Sequence, residues 1–449
     1  MDIKLKKRLV LIIALMSYLL AGLDGSLVLT SLAKIRADLG IGQVSLSWIQ
    51  NAYGLAYGSL ILLSGRLGDM YGRRKIMIFS LSTFALGSLL SGISDVALIT
   101  IVARFLQGVG AAFLTPTTLA LLIDYFSGPE LTKALAWYSS IAGIGMSVGL
   151  ILGGTLAAFW TWRIGFYLNA VLAIALIFLS RFTLEKQNHV ADGQHLDVLG
   201  ALLSILGSGL LVYGLNGAKE IVPFIVAAVV IWIVFVFSEK KASDPVMPLH
   251  LLMNKVRINA YLSRAFLVAA AMGFSFFASE YMQNQLHYSP LMSGIGYLPL
   301  TMSLFFTAMI VARLVDNFGN EKVLIAGSIM IMLGFGWIVI VGAHGYLKTM
   351  LASEILIGIG QGLALAPQTN LSIYEVEPDE SGVASSILNM FHQLGGVLGI
   401  ALMVKVGGSI FHTQNNITQF MGAMIVGLVL TVGAVIVSII INKELSKKD

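Results

Sequence analysis

The chain is organised around Gly65-Arg66-Leu67-Gly68-Asp69-Met70-Tyr71-Gly72-Arg73-Arg74-Lys75, a short charged stretch between two long apolar runs. Five of these positions recur 247 residues later, within 312–322. The matched pairs are Arg66 and Arg313, Leu67 and Leu314, Asp69 and Asp316, Gly72 and Gly319, and Lys75 and Lys322. A charged motif that occurs twice in a chain poor in charge predicts a duplicated fold, with one copy of this hinge in each half.

The composition places the chain in a lipid bilayer. Of its 449 residues, 57% are hydrophobic and only 11% are charged, whereas soluble domains carry about 25% charged residues. The absence of cysteine excludes disulfides, thiolate metal sites and thiol nucleophiles. The net charge of +5 fits loops that set membrane orientation better than it fits binding to nucleic acid.

The pattern of apolar runs predicts an all-α integral membrane protein with fourteen transmembrane helices. The predicted helices lie at 9–31, 46–67, 76–94, 97–123, 134–159, 164–180, 197–216, 221–238, 259–282, 291–312, 321–342, 347–373, 382–404 and 419–441. The first run is too long for a signal-peptide core and is predicted to be retained. Of the 28 lysines and arginines, 20 fall on the side of the termini, six on the other side and two within helices. Both termini are therefore predicted to be cytoplasmic.

Glycine positions extend the repeat beyond the hinge. Gly108 and Gly110 precede Gly358 and Gly360 by 250 residues, and the same offset relates Gly145 and Gly149 to Gly395 and Gly399. These offsets predict an N-terminal six-helix half at 1–181 and a pseudo-symmetric C-terminal six-helix half with its tail at 259–449. Linkers and a two-helix insert occupy 182–258.

Ionisable residues inside apolar runs mark candidate proton-coupling positions. Asp24 lies near the middle of the first predicted helix, where an ionised carboxylate must be paired or hydrated. We expect it to face a water-filled cavity and to bind a proton or a cation; the alternative is a structural acid bonded to a neighbouring helix. Glu280, near the outer end of the ninth predicted helix, is a protonation site or an interfacial charge. Arg104, whose repeat counterpart is Glu354, is a structural partner or a relay residue.

Other residues at helical depth predict a substrate cavity and a close helix contact. The predicted substrate-binding set combines charged, aromatic and amide side chains: Asp24, Tyr53, Tyr57, Gln107, Tyr281, Asn389 and His392. For each member, bonding between helices or a position in the interfacial aromatic belt is the alternative. Gly145, Gly149 and Gly153 recur every four residues and, with Gly154, form a smooth helix face.

No enzyme constellation is present in the sequence. The seven histidines are scattered without metal-ligand spacing, and no phosphate-binding loop indicates ATP use. We therefore expect no catalytic residue, no metal and no cofactor, and any pumping must use an ion gradient.

Several motifs together resemble the major facilitator superfamily and its fourteen-helix drug:proton antiporter family. Residues 65–75 resemble its signature loop, and Arg104 with Gln107, Gly108 and Gly110 resembles its proton-coupling motif. Residues 145–154 resemble its antiporter motif. Further matches are Leu23-Asp24, Trp162-Arg163 with Phe166 and Asn169, Ser289-Pro290, and Asn389 with Gln393-Leu394-Gly395-Gly396.

Some positions depart from the family pattern. Leu150 replaces the usual proline of the antiporter motif, and Leu29 and Ala33 replace the usual asparagine and proline after Asp24. Glu280 stands at a commonly apolar position, and His392 stands where arginine is frequent.

The resemblance implies a multidrug efflux pump that exchanges protons for amphiphilic, often cationic or aromatic drugs by alternating access. Its partners would be small-molecule drugs, protons and the lipid bilayer of the plasma membrane, with the protein acting as a monomer. The hinge residues Gly65, Asp69, Gly72 and Arg73, with Asp316, would form a conformational latch; plain membrane topology is the alternative for the hinge. The rival functions are a narrow-specificity proton-coupled metabolite exporter or importer and a non-transporting membrane sensor.

Overall fold

The described part of the chain is almost entirely helical. The computed structural model describes residues 2–185, 197–216, 220–242, 245, 247–377, 380–409 and 416–447. Within its helices, the side chains at 65, 66, 69, 136, 139, 140, 142–144, 216, 408, 409 and 416 lie outside the description. No strand occurs among the described residues.

Fifteen α-helices are present in the described ranges. They are α1 (Ile3–Leu39), α2 (Gln43–Tyr71), α3 (Arg73–Ile93), α4 (Ala97–Tyr125), α5 (Gly128–Phe159), α6 (Arg163–Thr183), α7 (Val198–Asn216), α8 (Val222–Lys241), α9 (Lys255–Glu280), α10 (Pro290–Gly296), α11 (Leu298–Phe318), α12 (Asn320–Val341), α13 (Leu351–Ser372), α14 (Ser381–Ser409) and α15 (Asn416–Leu445). A 3₁₀ turn covers Leu249–Leu252, and two π-helical segments cover Tyr281–Gln285 and Tyr346–Met350. The first π-helical segment continues α9, and the second leads into α13.

The apolar runs predicted where helices lie but not where they end. Every predicted stretch overlaps a helix, yet the stretch predicted at 9–31 corresponds to a helix that continues from Ile3 to Leu39. Hydropathy detects the part of a helix that suits the hydrocarbon core, while the backbone continues as helix into the polar interface. Twelve of the helical spans in the described ranges are long and apolar enough to cross a membrane. The count of fourteen stays a prediction.

The helices form two compact units. Unit 1 comprises Met1–Ile205 and Ala242–Val246, and unit 2 comprises Leu206–Lys241 and Met247–Asp449. In unit 1, α1 packs against α4, α5 and α6, while α3 packs against α4 and α6. In unit 2, α9 packs against α13, α14 and α15, while α12 packs against α13 and α15. The two units therefore repeat one packing scheme, in which α1 corresponds to α9 and α4 to α13.

Glycines at matching repeat positions make matching contacts. A Cβ at Gly108 would lie 3.0 Å from the carbonyl carbon of Tyr53 on α2, and one at Gly358 would lie 3.1 Å from that of Leu300 on α11. Because lipid provides little hydrophobic drive between helices, such close packing through small residues holds them together. The sequence offset of 250 residues thus has a direct structural counterpart.

The two hinge glycines also correspond. Gly72 joins α2 to α3 with φ 88° and ψ 138°, and Gly319 joins α11 to α12 with φ 86° and ψ 156°. A positive φ with an extended ψ is strained for residues that carry a Cβ. Glycine at both hinges therefore follows from backbone geometry.

Candidate functional site

A buried carboxylate, Asp24, lies at the centre of the unit 1 site. Its side chain on α1 is fully buried. One carboxylate oxygen, Oδ1, accepts hydrogen bonds from Asn169 Nδ2 of α6 at 2.9 Å and from Gln107 Nε2 of α4 at 3.1 Å. The other oxygen, Oδ2, accepts from Nη1 of Arg104, also on α4. Three helices thus converge on one acid.

The guanidinium of Arg104 is as deeply buried as Asp24. Besides its ion pair with Asp24, it donates from Nε to the carbonyl of Ile49 at 3.1 Å and from Nη1 to Gln107 Oε1 at 2.8 Å. The guanidinium carbon lies 4.6 Å from the centre of the Tyr53 ring, a cation–π distance. Nη2 has no hydrogen-bond partner among the described residues. The cation is therefore held on several sides while one of its donors stays unused.

The ion pair makes the site neutral overall when Asp24 is ionised. Removing each charge from water costs several kcal/mol, and a buried pair persists only when further hydrogen bonds satisfy both partners. Here Gln107 serves both, because its amide nitrogen donates to Asp24 and its oxygen accepts from Arg104. Protonation of Asp24 would leave the site with one uncompensated positive charge.

Gln107 is itself held by α3. Its Nε2 also donates to Ser88 Oγ at 2.7 Å. A Cβ at the neighbouring Gly87 would lie 2.8 Å from Gln107 Cγ and 2.6 Å from the carbonyl oxygen of Ala103. The absence of a side chain at Gly87 therefore lets α3 approach α4 closely enough to fix this amide.

A small cavity, with room for about one water molecule, adjoins the ion pair within unit 1. Its walls are mostly apolar and aromatic, with two polar side chains from the site and one further hydroxyl. The lining residues are Asp24, Leu27, Val28, Ser31, Trp162, Gly165, Phe166 and Asn169. Asp24 thus lies beside a small, largely apolar cavity and is paired with Arg104, and its role in binding a proton or a cation stays a prediction.

The two predicted tyrosines of α2 have different environments. Tyr53 is buried and donates from its hydroxyl to the carbonyl of Ala21 at 3.4 Å. Tyr57 is partly buried and shares a hydrogen bond of 2.8 Å with Thr115 Oγ1 of α4. Their rings meet edge to face with centres 5.9 Å apart. Tyr53 therefore belongs to the ion-pair site, and Tyr57 extends it along α2.

The glycine face of α5 packs against α1 around the Asp24 level. A Cβ at Gly149 would lie 2.7 Å from Ser26 Cβ, and one at Gly153 would lie 2.7 Å from Leu27 Cα. Gly145 has its nearest contact at 3.1 Å, with Leu19, and Gly154 is buried. This face lets the backbone of α5 approach the helix that carries the acid.

The remaining predicted proton-coupling and substrate-binding residues lie in unit 2. Glu280 is buried at the end of α9. The neighbouring Tyr281 stacks on Phe420 with ring centres 4.5 Å apart, and its hydroxyl accepts from the backbone N–H of Gly345 at 3.1 Å. On α14, Asn389 is exposed. These residues belong to unit 2, whereas the Asp24 cluster belongs to unit 1, and their predicted roles stay predictions.

A buried arginine near His392 was not among the predicted site residues. Arg264 of α9 donates from Nη2 to the carbonyl of Leu365 at 3.2 Å and to Thr369 Oγ1 at 3.1 Å. Its Nε has no partner among the described residues, and its positive charge acts on the partly buried His392. Unit 2 thus has a buried cation that forms no ion pair within the described ranges.

The hinge of unit 1 contacts the end of α4. Arg73 Nε donates to Asp124 Oδ2 at 3.3 Å. Gly65 and Asp69 lie in α2, but the Asp69 side chain lies outside the description, and Asp316 in unit 2 is exposed. The Arg73 contact joins the hinge to the helix that carries Arg104, and the latch role stays a prediction.

Sequence reasoning did not assign every member of the ion-pair site. Asn169 entered only through family resemblance, and Ser88 was not singled out. A lone asparagine within an apolar run was the available signal for Asn169, whereas serine is common on helices packed in lipid. Among the described residues, no group of three or more His, Cys, Asp or Glu side chains could hold a metal ion.

Two helical units that repeat one packing scheme, with buried charges inside apolar helices, define a multi-pass membrane transporter. The family model that describes the Major Facilitator Superfamily matches residues 14–400. The chain belongs to the major facilitator superfamily.

Several relatives are named as drug or antibiotic transporters or resistance proteins. The chain is 32% identical to the puromycin resistance protein pur8 of Streptomyces alboniger, over 88% of this chain and 81% of that protein. It is 31% identical to the cephamycin export protein CmcT of Amycolatopsis lactamdurans, over 89% of this chain and 85% of that protein. It is 28% identical to the multidrug transporter protein MdtP of Bacillus subtilis (strain 168), over 90% of this chain and 76% of that protein.

Solved structures with low sequence identity share the fold. The peptide transporter POT in complex with sulfate aligns with a TM-score of 0.72 at 14% identity, covering 100% of this chain and 98% of that one. A mutant form of the nucleoside transporter NupG aligns with a TM-score of 0.67 at 14% identity, covering 98% of this chain and 100% of that one. These likenesses support the fold class.

Proposed function

We propose that this protein is a proton-coupled multidrug efflux antiporter of the plasma membrane, with fourteen spans, cytoplasmic termini and alternating access. The observation that carries the proposal is the buried Asp24–Arg104 pair beside a largely apolar cavity. The names of the relatives support small, amphiphilic drugs as substrates.

The coupling follows from the charge of the site. With Asp24 ionised, the Asp24–Arg104 pair is neutral, and a cationic or polar amphiphile meets no net repulsion. Protonation of Asp24 leaves the Arg104 charge uncompensated, which disfavours a bound cation because like charges repel strongly at low dielectric. Proton and cationic substrate would thereby exclude each other, as exchange requires.

Arg104 has other partners that would stabilise its buried charge after Asp24 is protonated. The carbonyl of Ile49, the oxygen of Gln107 and the ring of Tyr53 all stay within reach of the guanidinium. The loss of the carboxylate charge still weakens the link between α1 and α4, which biases the unit toward another packing. The proton gradient can supply the energy, because one pH unit corresponds to about 1.4 kcal/mol and one charge across 100 mV to about 2.3 kcal/mol.

The test is transport by the full-length protein in inverted membrane vesicles. A pH gradient, acidic inside, is imposed, and uptake of a panel of fluorescent cations, antiseptics and antibiotics is followed together with proton release. We expect uptake of several chemically distinct compounds, each accompanied by proton efflux and abolished by an uncoupler. An uptake rate that is the same with and without the pH gradient would contradict proton coupling.

A narrow-specificity exporter or importer is the second candidate. Leu150, fully buried on α5 beside Gly149, replaces the proline usual in the antiporter motif. Two relatives are named for single antibiotics, puromycin and cephamycin. Transport of one compound class from the panel, or accumulation in the direction of proton flow, would favour this candidate over multidrug export.

A further inference from the structure

A second buried carboxyl, Glu354, occupies the position in unit 2 that Arg104 occupies in unit 1. The two residues are 250 positions apart, and their helices α4 and α13 correspond in the repeated packing. Glu354 is fully buried. Unlike Arg104, it takes part in no ion pair among the described residues, and its Oε1 has no hydrogen-bond partner there.

Within the described ranges, the Glu354 side chain makes one hydrogen-bond contact, with the phenol of Tyr346. Its Oε2 lies 3.4 Å from Tyr346 Oη. That phenol has a single hydrogen, and it donates over the shorter distance of 2.7 Å to the carbonyl of Gly296. The longer contact is therefore best satisfied when the Glu354 carboxyl carries a proton and donates to the phenol oxygen.

The surroundings supply little to stabilise a negative charge on Glu354. The described ionisable groups that face it are phenols, with Tyr346 in contact and Tyr297 near it. The described cations of α9 and of the π-helical segment before α13 are engaged or turned outward. Arg264 donates to the carbonyl of Leu365, eleven residues along α13, while Lys348 is exposed.

Two further charges on elements packed against α13 do not compensate Glu354. Glu280, at the end of α9, is another acid, and Arg313 of α11 is exposed. The start of α13 offers Glu354 only the partial positive charge of a helix terminus, which is weaker than a full counter-charge. Burial of an unpaired carboxylate costs more than such a terminus offsets, so the neutral form prevails in this conformation.

The second π-helical segment places Tyr346 over Glu354, and π turns occur frequently at functional sites. Gly345, the residue before this segment, donates its backbone N–H to the hydroxyl of Tyr281 in the first π-helical segment at 3.1 Å. The two irregular segments are thus hydrogen-bonded to each other next to Tyr346, the residue that contacts the carboxyl.

We propose that Glu354 is a proton-binding residue of unit 2, which holds its proton in this conformation and releases it to water, as hydronium, in another. The proposal rests on the proton-coupled transport proposed above and adds a second proton site on a different helix from Asp24. With both sites in use, up to two protons accompany each transport cycle.

The first test is infrared spectroscopy of the purified full-length protein at neutral pH. A protonated buried carboxyl gives a C=O stretching band separate from that of carboxylates, and we expect Glu354→Gln to remove one such band. Glu377→Gln, at an exposed glutamate beyond the end of α13, is the control and leaves that band in place. Tyr346→Phe, which keeps the acid, is expected to shift the band without removing it. Persistence of the whole band in Glu354→Gln would overturn the proposal.

The second test measures coupling in proteoliposomes. Each coupled proton contributes a factor of about ten to the steady-state accumulation of substrate per pH unit. A gradient of one pH unit should therefore give about a hundredfold accumulation in the unmodified protein, with two protons, and about tenfold in Glu354→Gln, with one. An unchanged accumulation ratio would contradict a role for Glu354 in transport even if the infrared band were lost. If the unmodified protein shows no proton-driven transport, the proposed function fails, while the infrared result still decides whether Glu354 carries a proton.

Discussion

At the scale of single residues, the Asp24–Arg104 pair joins a structural role to a functional one, and substitutions can separate them. Asp24→Asn leaves the buried Arg104 charge without a counter-ion, which should destabilise the protein by about 3–5 kcal/mol and abolish proton-driven efflux. Asp24→Asn combined with Arg104→Gln removes both charges and should recover most of the melting temperature, but not transport.

The matched control for this pair is Asp38→Asn. Asp38 also lies on α1 and also contacts an arginine, Arg163, but its side chain is 47% exposed. Exposed pairs contribute about 0–1 kcal/mol, so this variant should melt and transport normally. Thermal unfolding in detergent and vesicle transport are the two measurements. Full efflux by the double variant would show that Asp24 is only a structural acid.

Asn169 offers a second residue-scale prediction, through the stability of the site. Its Nδ2 donates to Asp24 Oδ1 at 2.9 Å, and both side chains are buried. Asn169→Ala removes a hydrogen bond to a charged group, which should lower the free energy of unfolding by about 1.5–3 kcal/mol and reduce proton-driven efflux. Asn259→Ala, whose Nδ2 donates within α9 to the carbonyl of Lys255 at 2.6 Å, is the control and should change neither thermal unfolding in detergent nor vesicle transport.

The same residues show what the sequence could predict about the site. Charge inside an apolar helix singles out Asp24 and Arg104 individually, because such positions are costly in a bilayer. Their pairing across 80 residues depends on how α1 packs against α4, which no local pattern encodes. The environment of Glu354 is equally hidden, since it depends on which side chains the described neighbouring helices turn toward it.

At the scale of elements, the contact between α5 and α1 depends on a glycine. A methyl group at Gly149 would lie 2.7 Å from Ser26 Cβ and 3.2 Å from the carbonyl oxygen of Leu23, next to Asp24. Gly149→Ala should therefore push the helices apart, lower stability by about 1–3 kcal/mol and reduce transport strongly. Gly22→Ala, on α1 with no atom within 4 Å of the added Cβ, is the control and should transport normally. Equal activity of the two variants would show that the close approach is dispensable.

The two hinges permit a paired prediction. Gly72 and Gly319 have nearly the same φ, 88° and 86°, so alanine should cost a similar amount at each, about 1–3 kcal/mol. Gly336→Ala is the control, because this helical glycine has open space around it. Melting temperatures of the three variants make the comparison. A loss confined to Gly72→Ala would separate the two hinges despite their matching geometry.

Helix boundaries show where element-scale prediction stops. The run predicted at 291–312 is divided into α10 and α11 at Tyr297, and the runs at 259–282 and 347–373 each include part of a π-helical segment. Hydropathy does not detect such local changes, because they alter backbone hydrogen bonding without altering side-chain polarity. Glycine spacing, by contrast, predicted close helix contacts well, since small residues act through the space they leave open.

At the scale of the whole molecule, the repeat preserves packing while the chemistry diverges. Gly108 and Gly358 make equivalent contacts, yet a paired Arg104 in unit 1 corresponds to a carboxyl, Glu354, in unit 2. Packing must be kept in both halves for the fold to form, whereas a buried charge needs only one suitable environment. Duplication thus explains how one fold carries two different arrangements of buried ionisable groups.

The number of membrane crossings is the remaining whole-molecule question, and the absence of native cysteine makes it directly testable. Cysteines are introduced singly at Glu220, before α8, at Lys241, at its end, and at Ser446 in the tail, all exposed positions. If α7 and α8 both cross the membrane and the termini are cytoplasmic, an impermeant maleimide should label Glu220→Cys in intact cells. It should label Lys241→Cys and Ser446→Cys only in inverted vesicles. Labelling of Glu220→Cys and Lys241→Cys from the same side would contradict fourteen spans, because α8 lies between them and would then not cross.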